Sequence, residues 1–182
     1  AREKAGILRH DVSCVVAAQQ DEALAVIRAE AERIGAPLLV SGEEWQAIEQ
    51  HGRMVFQDED GLLDLALPRL PGRHQIENAG TALRALRVLE RHRLEPAVVD
   101  QGLGNVDWPG RMQRLGPGPL RDHLPGDAEL WLDGGHNPAA GAALALVMSE
   151  LEERVSRPLV LVVGMIGSKD AGGFLRAFAG LA

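Results

Sequence analysis

The apolar and polar positions of the first 40 residues alternate in a way that predicts two strands joined by a helix. A short apolar run at residues 14–18 predicts a buried strand. Apolar residues then recur at helical spacing over residues 21–34, and Gly35 predicts the end of that helix. A second apolar run at residues 37–40 predicts another strand. The β-α-β order favours a parallel sheet, because a parallel pair needs a crossover of this length.

From residue 45 the pattern changes to a hairpin followed by a long helix. Apolar runs at 54–56 and 62–67 flank an Asp-Glu-Asp-Gly segment, and Asp-Gly between two such runs is typical of a hairpin turn. Residues 74–93 predict a helix with arginines on one side. Its apolar side is predicted to carry Ala79, Ala82, Leu83, Leu86 and Leu89. Pro96 predicts the start of a shorter helix that ends near residues 102–104.

The second half of the chain predicts a separate α/β unit. Gly, Asn, Asp and Pro cluster at residues 105–110, which indicates a domain boundary. The elements predicted beyond it are a strand at 129–132, a turn at 133–138, a helix at 139–153, a buried strand at 159–163 and a helix at 174–181. This order is typical of the start of a Rossmann-like half.

Composition and charge narrow the function classes. Charged residues make up 25% of the 182 residues and the net charge is -7, which argues against broad binding to nucleic acids or anionic membranes. The single cysteine, Cys14, excludes an internal disulfide and is expected to be a small buried residue. No apolar run has the length of a membrane span and no signal peptide is present, so we expect a cytoplasmic protein.

The first residues suggest that the chain belongs to a longer polypeptide. The sequence begins at Ala1 without an initiator methionine, and nothing before Val12 predicts a strand or a full helix. We therefore expect a segment of a larger protein rather than an independent enzyme.

Two candidate sites lie in the first half. Lys4, within residues 2–7, is a cation that belongs either to a solvated terminus or to a ligand site. Residues 74–79 open the long helix, where the amide of Asn78 either caps the helix or binds a ligand at its N-terminus.

Two more candidate sites lie beyond the boundary. A Pro-Gly turn presents Arg111, whose guanidinium group suits either phosphate oxygens or a surface ion pair. Residues 132–138 follow a strand and precede a helix, and they carry Asp133, His136 and Asn137 between glycines. Such a segment is a poor way to build a plain turn, so it is the most specific of the four. A glycine-containing loop at 164–170 is a weaker candidate.

Together these segments resemble the folylpolyglutamate synthase and dihydrofolate synthase family, which is related to the Mur ligases. Residues 3–7 match its Glu-Lys-Ala-Gly-Ile segment and residues 74–79 match its His-Gln-x-x-Asn-Ala segment. Residues 109–111 match its Pro-Gly-Arg segment. Residues 133–138 match Asp-Gly-Ala-His-Asn-Pro, with Gly135 in place of Ala. The order of the motifs agrees, and the resemblance spans nearly the whole chain.

The resemblance implies a fold and two domains. It implies an α/β chain that comprises the back part of a Mur-ligase-type central ATPase domain and the start of a Rossmann-like C-terminal domain. Residues 1–105 would be the C-terminal portion of the ATP-binding domain. Residues 106–182 would be the N-terminal portion of the glutamate-ligase domain.

The resemblance also implies roles for individual residues. Lys4 resembles a lysine that becomes carbamylated and then serves catalysis as an oxygen ligand of Mg²⁺. Asn78, Arg111 and Asp133 resemble the ATP contacts of the family. His136 resembles a catalytic residue at the junction of acyl phosphate and glutamate.

The implied activity is an ATP-dependent ligation of L-glutamate to the carboxylate of dihydropteroate or a folate, through an acyl phosphate. ATP and Mg²⁺ are the implied cofactors, the other partners are these small molecules, and the implied state is a monomer. Neither nucleic acid nor a membrane is an expected partner.

Four departures from the family pattern limit what the resemblance implies for this chain. The chain contains no Gly-x-x-x-x-Gly-Lys-Ser/Thr loop, and Ser168 stands where the family usually has Asp. The upstream metal-binding residues and the C-terminal end of the family are also missing. We therefore expect the 182-residue chain alone to be inactive.

Two alternatives remain. The first is a Mur-type ligase that adds an amino acid to a UDP-muramyl precursor. The second is a non-catalytic nucleotide-binding module, which the missing phosphate loop favours.

Overall fold

The computed structural model describes residues 1–89 and 95–181, and the chain divides into two compact units. The first unit comprises residues 1–69 and 74–105. The second comprises residues 70–73 and 106–182. Each unit has an apolar core of its own.

The first unit begins with a parallel β-α-β arrangement. A single turn of helix, α1 (Arg2–Ala5), precedes strand β1 (Cys14–Val16), helix α2 (Asp21–Ile34) and strand β2 (Leu38–Val40). Strands β1 and β2 pair in parallel, with Cys14 opposite Leu38. Gly35 ends α2 in the left-handed conformation, at φ +78°, which favours glycine. The predicted strand, helix and parallel pair are confirmed.

A three-stranded antiparallel sheet follows, in the order β3 (Trp45–Gln50), β4 (Arg53–Asp58) and β5 (Gly61–Leu65). The predicted hairpin at residues 58–61 joins β4 to β5. Strand β3 was not predicted, because only its first residue, Trp45, is buried and the strand carries no continuous apolar run. Its turn to β4 uses His51 and Gly52, both at positive φ, which matches the twist of a two-residue hairpin.

Helix α3 (His74–Val88) lies against this sheet. The two elements meet at Gly80, where a Cβ would collide with the Cβ of Ala47 and lie 2.9 Å from Cζ3 of Trp45. Glycine at this position therefore sets how closely the helix approaches the strand. The buried core between them contains Trp45, Met54, Phe56, Leu65, Ile76 and Leu83. A further helix, α4 (Pro96–Asn105), completes the first unit.

The predicted apolar side of helix α3 is partly wrong. Ala82, Leu86 and Leu89 are exposed, whereas Arg84 is buried with 4% of its surface exposed. The arginine side turns inward because the β4–β5 turn supplies acidic partners for it. The predicted continuation of this helix to Arg93 lies partly outside the described residues.

The buried Arg84 and the partly buried Arg87 form an ion cluster with the hairpin turn. Arg84 donates to Asp58 at 3.2 Å and to Glu59 at 2.6 Å. Arg87 donates to Asp58 and lies over the Phe56 ring, 5.3 Å from its centroid. Burial raises the pKa of the Asp58 carboxyl, although the two guanidinium groups act in the opposite direction. The cluster joins the far end of helix α3 to the sheet.

The second unit contains an antiparallel strand pair, two α-helices and a short 3₁₀ helix (Arg121–His123). Strands β6 (Gln113–Leu115) and β7 (Leu130–Leu132) pair with Gln113 opposite Leu132. The helices are α5 (Pro138–Arg154) and α6 (Ala171–Arg176), and they pack where Gly141 meets the backbone of Phe174. The core of this unit contains Met112, Leu144, Ala145, Val147, Phe174 and Phe178.

Two predicted elements of the second unit are wrong. Residues 159–163 form no strand, and Val160 and Val162 are 80% and 97% exposed. Leu159 and Leu161 pack against the core, but no described strand pairs with the segment and nothing described covers its outer side. The last predicted helix begins earlier, at Ala171, because the Asp170 carboxylate caps it. It ends at Arg176 instead of running to residue 181.

The structure confirms the predicted α/β class, since helices and strands contribute to both units. Within the described residues, no helix is both long and apolar enough to cross a membrane. Cys14 is half-buried in β1, and burial raises the pKa of its thiol.

We expect Gly80→Ala to lower the free energy of unfolding by about 2 kcal/mol, because the added methyl group overpacks the contact with Trp45 and Ala47. Gly102→Ala is the matched control, since Gly102 is an exposed helical glycine with nothing within 4 Å of a new Cβ. This control should raise the free energy by about 0.5 kcal/mol. Urea denaturation of both variants measures the difference. A Gly80→Ala variant that is as stable as the unmodified protein, or that gains stability as Gly102→Ala does, would contradict the close approach.

Candidate functional site

The Asp133 carboxylate builds the loop that follows strand β7. One of its oxygens accepts the Met112 backbone N–H at 2.8 Å, and the other accepts the Gly135 backbone N–H at 2.6 Å. The side chain therefore joins two loops that are distant in sequence. Each oxygen retains capacity for a further donor, such as a ligand hydroxyl.

The hydrogen bond between Asp133 and the Met112 backbone brings two of the four candidate segments together. The Gly134 backbone N–H donates to the Gly110 carbonyl oxygen at 2.8 Å, next to the bond between Met112 and Asp133. Gly110 and Met112 both adopt positive φ, at +71° and +42°, so the backbone turns sharply on either side of Arg111. The Pro-Gly-Arg segment and the Asp-Gly-Gly-His-Asn segment thus form one surface.

Arg111 is the exposed cation of this surface. Its side chain forms no ion pair or hydrogen bond with any residue that the structure describes, so the alternative of a surface ion pair is not seen there. Its guanidinium group has donors available for an anionic ligand. Arg114, by contrast, pairs with Glu129 at 2.9 Å.

The start of helix α5 lies directly beside the Asp133 loop. Asn137 accepts the Ala140 backbone N–H at 2.9 Å, and Pro138 occupies the first turn, so the helix begins with a well-formed cap. The exposed His136 ring places Nδ1 2.9 Å from the Gly134 carbonyl oxygen. Because a carbonyl only accepts, Nδ1 carries the proton, and Nε2 of the neutral ring remains as an acceptor.

The other polar segment begins helix α3 in the first unit. The Asn78 amide nitrogen donates to Gln75 Oε1 at 3.1 Å, and Gln75 Nε2 lies 3.0 Å from His74 Nε2. Asn78 itself is exposed, whereas Gln75 is buried. The Asn78 side chain is not seen to cap the helix, since its described bond runs to a side chain.

Lys4 lies on α1 and is exposed. Among the described residues, no three or more His, Cys, Asp or Glu side chains come together in a way that would hold a metal ion. The role of Lys4 as a carbamylated metal ligand therefore stays a prediction.

Sequence reasoning missed the side-chain contacts of Gln75 and the hydrogen bond of the Met112 backbone. Gln75 stands within the His-Gln-x-x-Asn-Ala motif, which was the available signal. The Met112 contact has no sequence signal, because its N–H becomes a donor to Asp133 only through folding. The weaker loop at 164–170 serves a local purpose, since Asp170 caps α6 by accepting the Gly173 N–H at 2.7 Å.

Comparisons with known proteins agree with the motifs. No protein-family model matches the chain. The dihydrofolate synthase/folylpolyglutamate synthase of Bacillus subtilis is 31% identical over 160 residues, which is 82% of this chain and 35% of that protein.

Two solved structures are also similar. A bifunctional folylpolyglutamate synthase/dihydrofolate synthase from Yersinia pestis, complexed with AMPPNP and Mn, has a TM-score of 0.79 at 28% identity. The match covers 98% of this chain and 39% of that one. A bifunctional enzyme of the same name with Mn, AMPPNP and L-glutamate bound has a TM-score of 0.78 at 29% identity, with the same coverage.

The chain is homologous to folylpolyglutamate and dihydrofolate synthases. The resemblance predicted from the four motifs is thereby confirmed, and the α/β fold matches these synthases over nearly the whole chain. The chain spans about two fifths of the length of the synthases that it matches.

We expect Asp133→Ala to lower the free energy of unfolding of the second unit by about 2 kcal/mol, because two backbone N–H groups lose a charged acceptor. Amide hydrogen exchange should accelerate at Met112 and Gly135 in particular. Asp127→Ala removes an exposed carboxylate from the preceding loop and should change stability by less than about 0.5 kcal/mol. Unchanged exchange at both amides in Asp133→Ala would show that the carboxylate does not hold the loop.

Proposed function

We propose that the protein containing this chain is an ATP-dependent ligase that forms an amide between the carboxylate of dihydropteroate or a folate and L-glutamate. The observation that carries the proposal is the surface formed by Arg111, the Asp133 loop and the start of helix α5. It combines an available guanidinium group, a carboxylate and a helix N-terminus, which are groups suited to a nucleotide. Homology to synthases solved with nucleotide bound supports the same assignment.

Each residue of this surface receives a role in the proposal. Arg111 would bind phosphate oxygens and neutralise their charge. Asp133 would accept a ribose hydroxyl on an oxygen that also fixes the loop. His136 would lie where the acyl phosphate meets glutamate, with Nε2 as the acceptor of a proton. Asn78, at the start of helix α3 in the first unit, would be an ATP contact.

The chemistry consists of two transfers. In the first, a carboxylate oxygen of the acceptor attacks the γ-phosphorus of ATP, and the bond to ADP breaks. In the second, the amine nitrogen of glutamate attacks the acyl carbon, phosphate leaves and the nitrogen loses a proton. Arg111 contributes charge neutralisation, and the loop contributes positioning.

A divalent cation is part of the proposal, and we take it to be Mg²⁺. The related structures contain Mn together with the nucleotide analogue. Lys4 would contribute an oxygen ligand once carbamylated, and a bound cation would supply further neutralisation of phosphate charge.

Cytoplasmic location and a monomeric state complete the proposal. The single cysteine suits a reducing compartment.

Incorporation of labelled L-glutamate by the complete gene product tests the proposed activity. The assay contains ATP and Mg²⁺, with either dihydropteroate or a reduced folate as acceptor. Incorporation into one of them supports the ligase, and the preferred acceptor identifies the activity. Binding of ATP without incorporation into either acceptor would favour the non-catalytic nucleotide-binding module.

We expect Arg111→Ala to weaken ATP binding by the complete gene product about tenfold, because a charged donor to phosphate is lost. Arg114→Ala is the matched control, as it removes a neighbouring exposed arginine that is already paired with Glu129. Isothermal titration calorimetry measures both affinities. An equal loss in the two variants would indicate a general charge effect and contradict a specific role for Arg111.

A further inference from the structure

We propose that Glu129 is a positioning residue that fixes the register of strands β6 and β7, and thereby holds Arg111 and Asp133 on one surface. The consequence for nucleotide binding rests on the proposed function, whereas the register itself does not. The inference gives a role in the candidate site to a side chain at the opposite end of β7 from Asp133.

The pairing of β6 with β7 is short and lacks a tight turn. Three residue pairs join the strands, with Gln113 opposite Leu132. Residues 116–129 connect them, whereas a hairpin loop of about two to five residues would fix the register by itself. The described hydrogen bonds of residues 117–128 run within that segment, where Arg121 donates to three carbonyl oxygens. The register is therefore left to contacts of the strands themselves.

The register decides whether the candidate site forms. Continued by one pair beyond the strands, it sets Met112 opposite Asp133, whose carboxylate accepts the Met112 N–H at 2.8 Å. The Gly134 N–H donates to the Gly110 carbonyl oxygen beside it. A slip of one residue would set a neighbour of Asp133 opposite Met112 and turn each side chain to the other face. Both hydrogen bonds between the loops would then be lost.

Glu129 is the shared acceptor at the other end of the pair. Arg114 of β6 donates to its Oε1 at 2.9 Å, and the Trp131 indole N–H donates to its Oε2 at 3.2 Å. Arg114 and Trp131 lie directly opposite each other, so this carboxylate joins the two strands in one register. Arg157, which follows helix α5, pairs with the same Oε1 at 3.0 Å. That pair connects the two ends of the strand, loop and helix that carry the candidate site.

The acceptor is the essential member of this network. A single exposed ion pair contributes little to stability, whereas several charges in one network contribute more. Glu129 is the least exposed of the three charged side chains, at 29% against 63% for Arg114 and 43% for Arg157. Loss of Arg114 alone leaves two donors in place, whereas loss of Glu129 releases all three.

Hydrogen exchange resolved by residue tests the register in the complete gene product. We expect Glu129→Ala to accelerate exchange at Met112 and Gly134, whose N–H groups donate from one loop to the other. Gly135 donates within its own loop, so its exchange should stay unchanged. Glu153→Ala removes an exposed carboxylate from α5 and should alter none of these amides. Unchanged exchange at Met112 and Gly134 in Glu129→Ala would overturn the proposal.

The affinity for ATP tests the consequence for the site. We expect Glu129→Ala to weaken ATP binding about fivefold in isothermal titration calorimetry, because Arg111 and the Asp133 loop lose their relative placement. Glu129→Gln keeps one acceptor oxygen and should retain more of the affinity. Val147→Ala removes part of a buried side chain of α5, so it should lower stability without changing the affinity.

A disulfide bond separates positioning from a direct effect of the lost charge. Leu115 and Leu130 lie directly opposite each other, and opposed cysteines in an antiparallel pair are close enough to be bridged. Added to Glu129→Ala, the changes Leu115→Cys and Leu130→Cys should restore slow exchange at Met112 and the affinity for ATP once oxidised, and lose both on reduction. An oxidised protein that recovers neither property would contradict the positioning role.

Failure of this inference differs from failure of the proposed function. If the unmodified protein binds no ATP, the proposed function is wrong, and the exchange measurements alone decide whether Glu129 fixes the register. If ATP binds and Glu129→Ala leaves its affinity unchanged, only the positioning role in the nucleotide site is overturned.

Discussion

The first unit depends on the contact between Gly80 of helix α3 and strand β3. Because position 80 has no side chain, the helix backbone comes within reach of Trp45 and Ala47, and the antiparallel sheet closes over Met54 and Phe56. The helix is then anchored in its middle, with polar networks at both ends. One end holds the Gln75 amide, and the other holds the buried arginine cluster. A side chain at position 80 would disturb the placement of both.

The second unit is organised by a carboxylate rather than by a close backbone approach. Asp133 accepts two backbone N–H groups, one from each loop, and so makes a single surface of segments about 20 residues apart. In the proposed function the same carboxylate would also contact the nucleotide. A loss of activity on changing Asp133 would then have two physical origins, and the exchange of the loop amides would separate them. The Arg111 side chain forms no hydrogen bond or ion pair with a described residue. A substitution there therefore tests the proposed nucleotide contact without also removing a structural contact.

The sequence predicted elements well where burial followed a simple period. Helix α2 was predicted with its observed limits, and the parallel pair and the hairpin were also predicted. Strand β3 was not predicted, because its pairing with β4 stabilises it and its sequence contains no apolar run. The buried face of α3 was predicted wrongly in part, because the β4–β5 turn supplies carboxylates that pair with the arginines of the helix. The spacing of apolar residues along the helix gives no information about such distant partners.

The candidate site was predictable as motifs but not as an arrangement. The sequence identified Arg111 and Asp133 separately, and only folding showed that their loops share hydrogen bonds. The segment at 159–163 was predicted as a buried strand from its apolar composition, but no described strand pairs with it. The single thiol of Cys14 gives the first unit an internal chemical probe. Since burial raises its pKa, less of it is thiolate at neutral pH than in an exposed cysteine, and alkylation will be slower. The rate of labelling at this one atom therefore reports on the surroundings of strand β1, without any engineered tag.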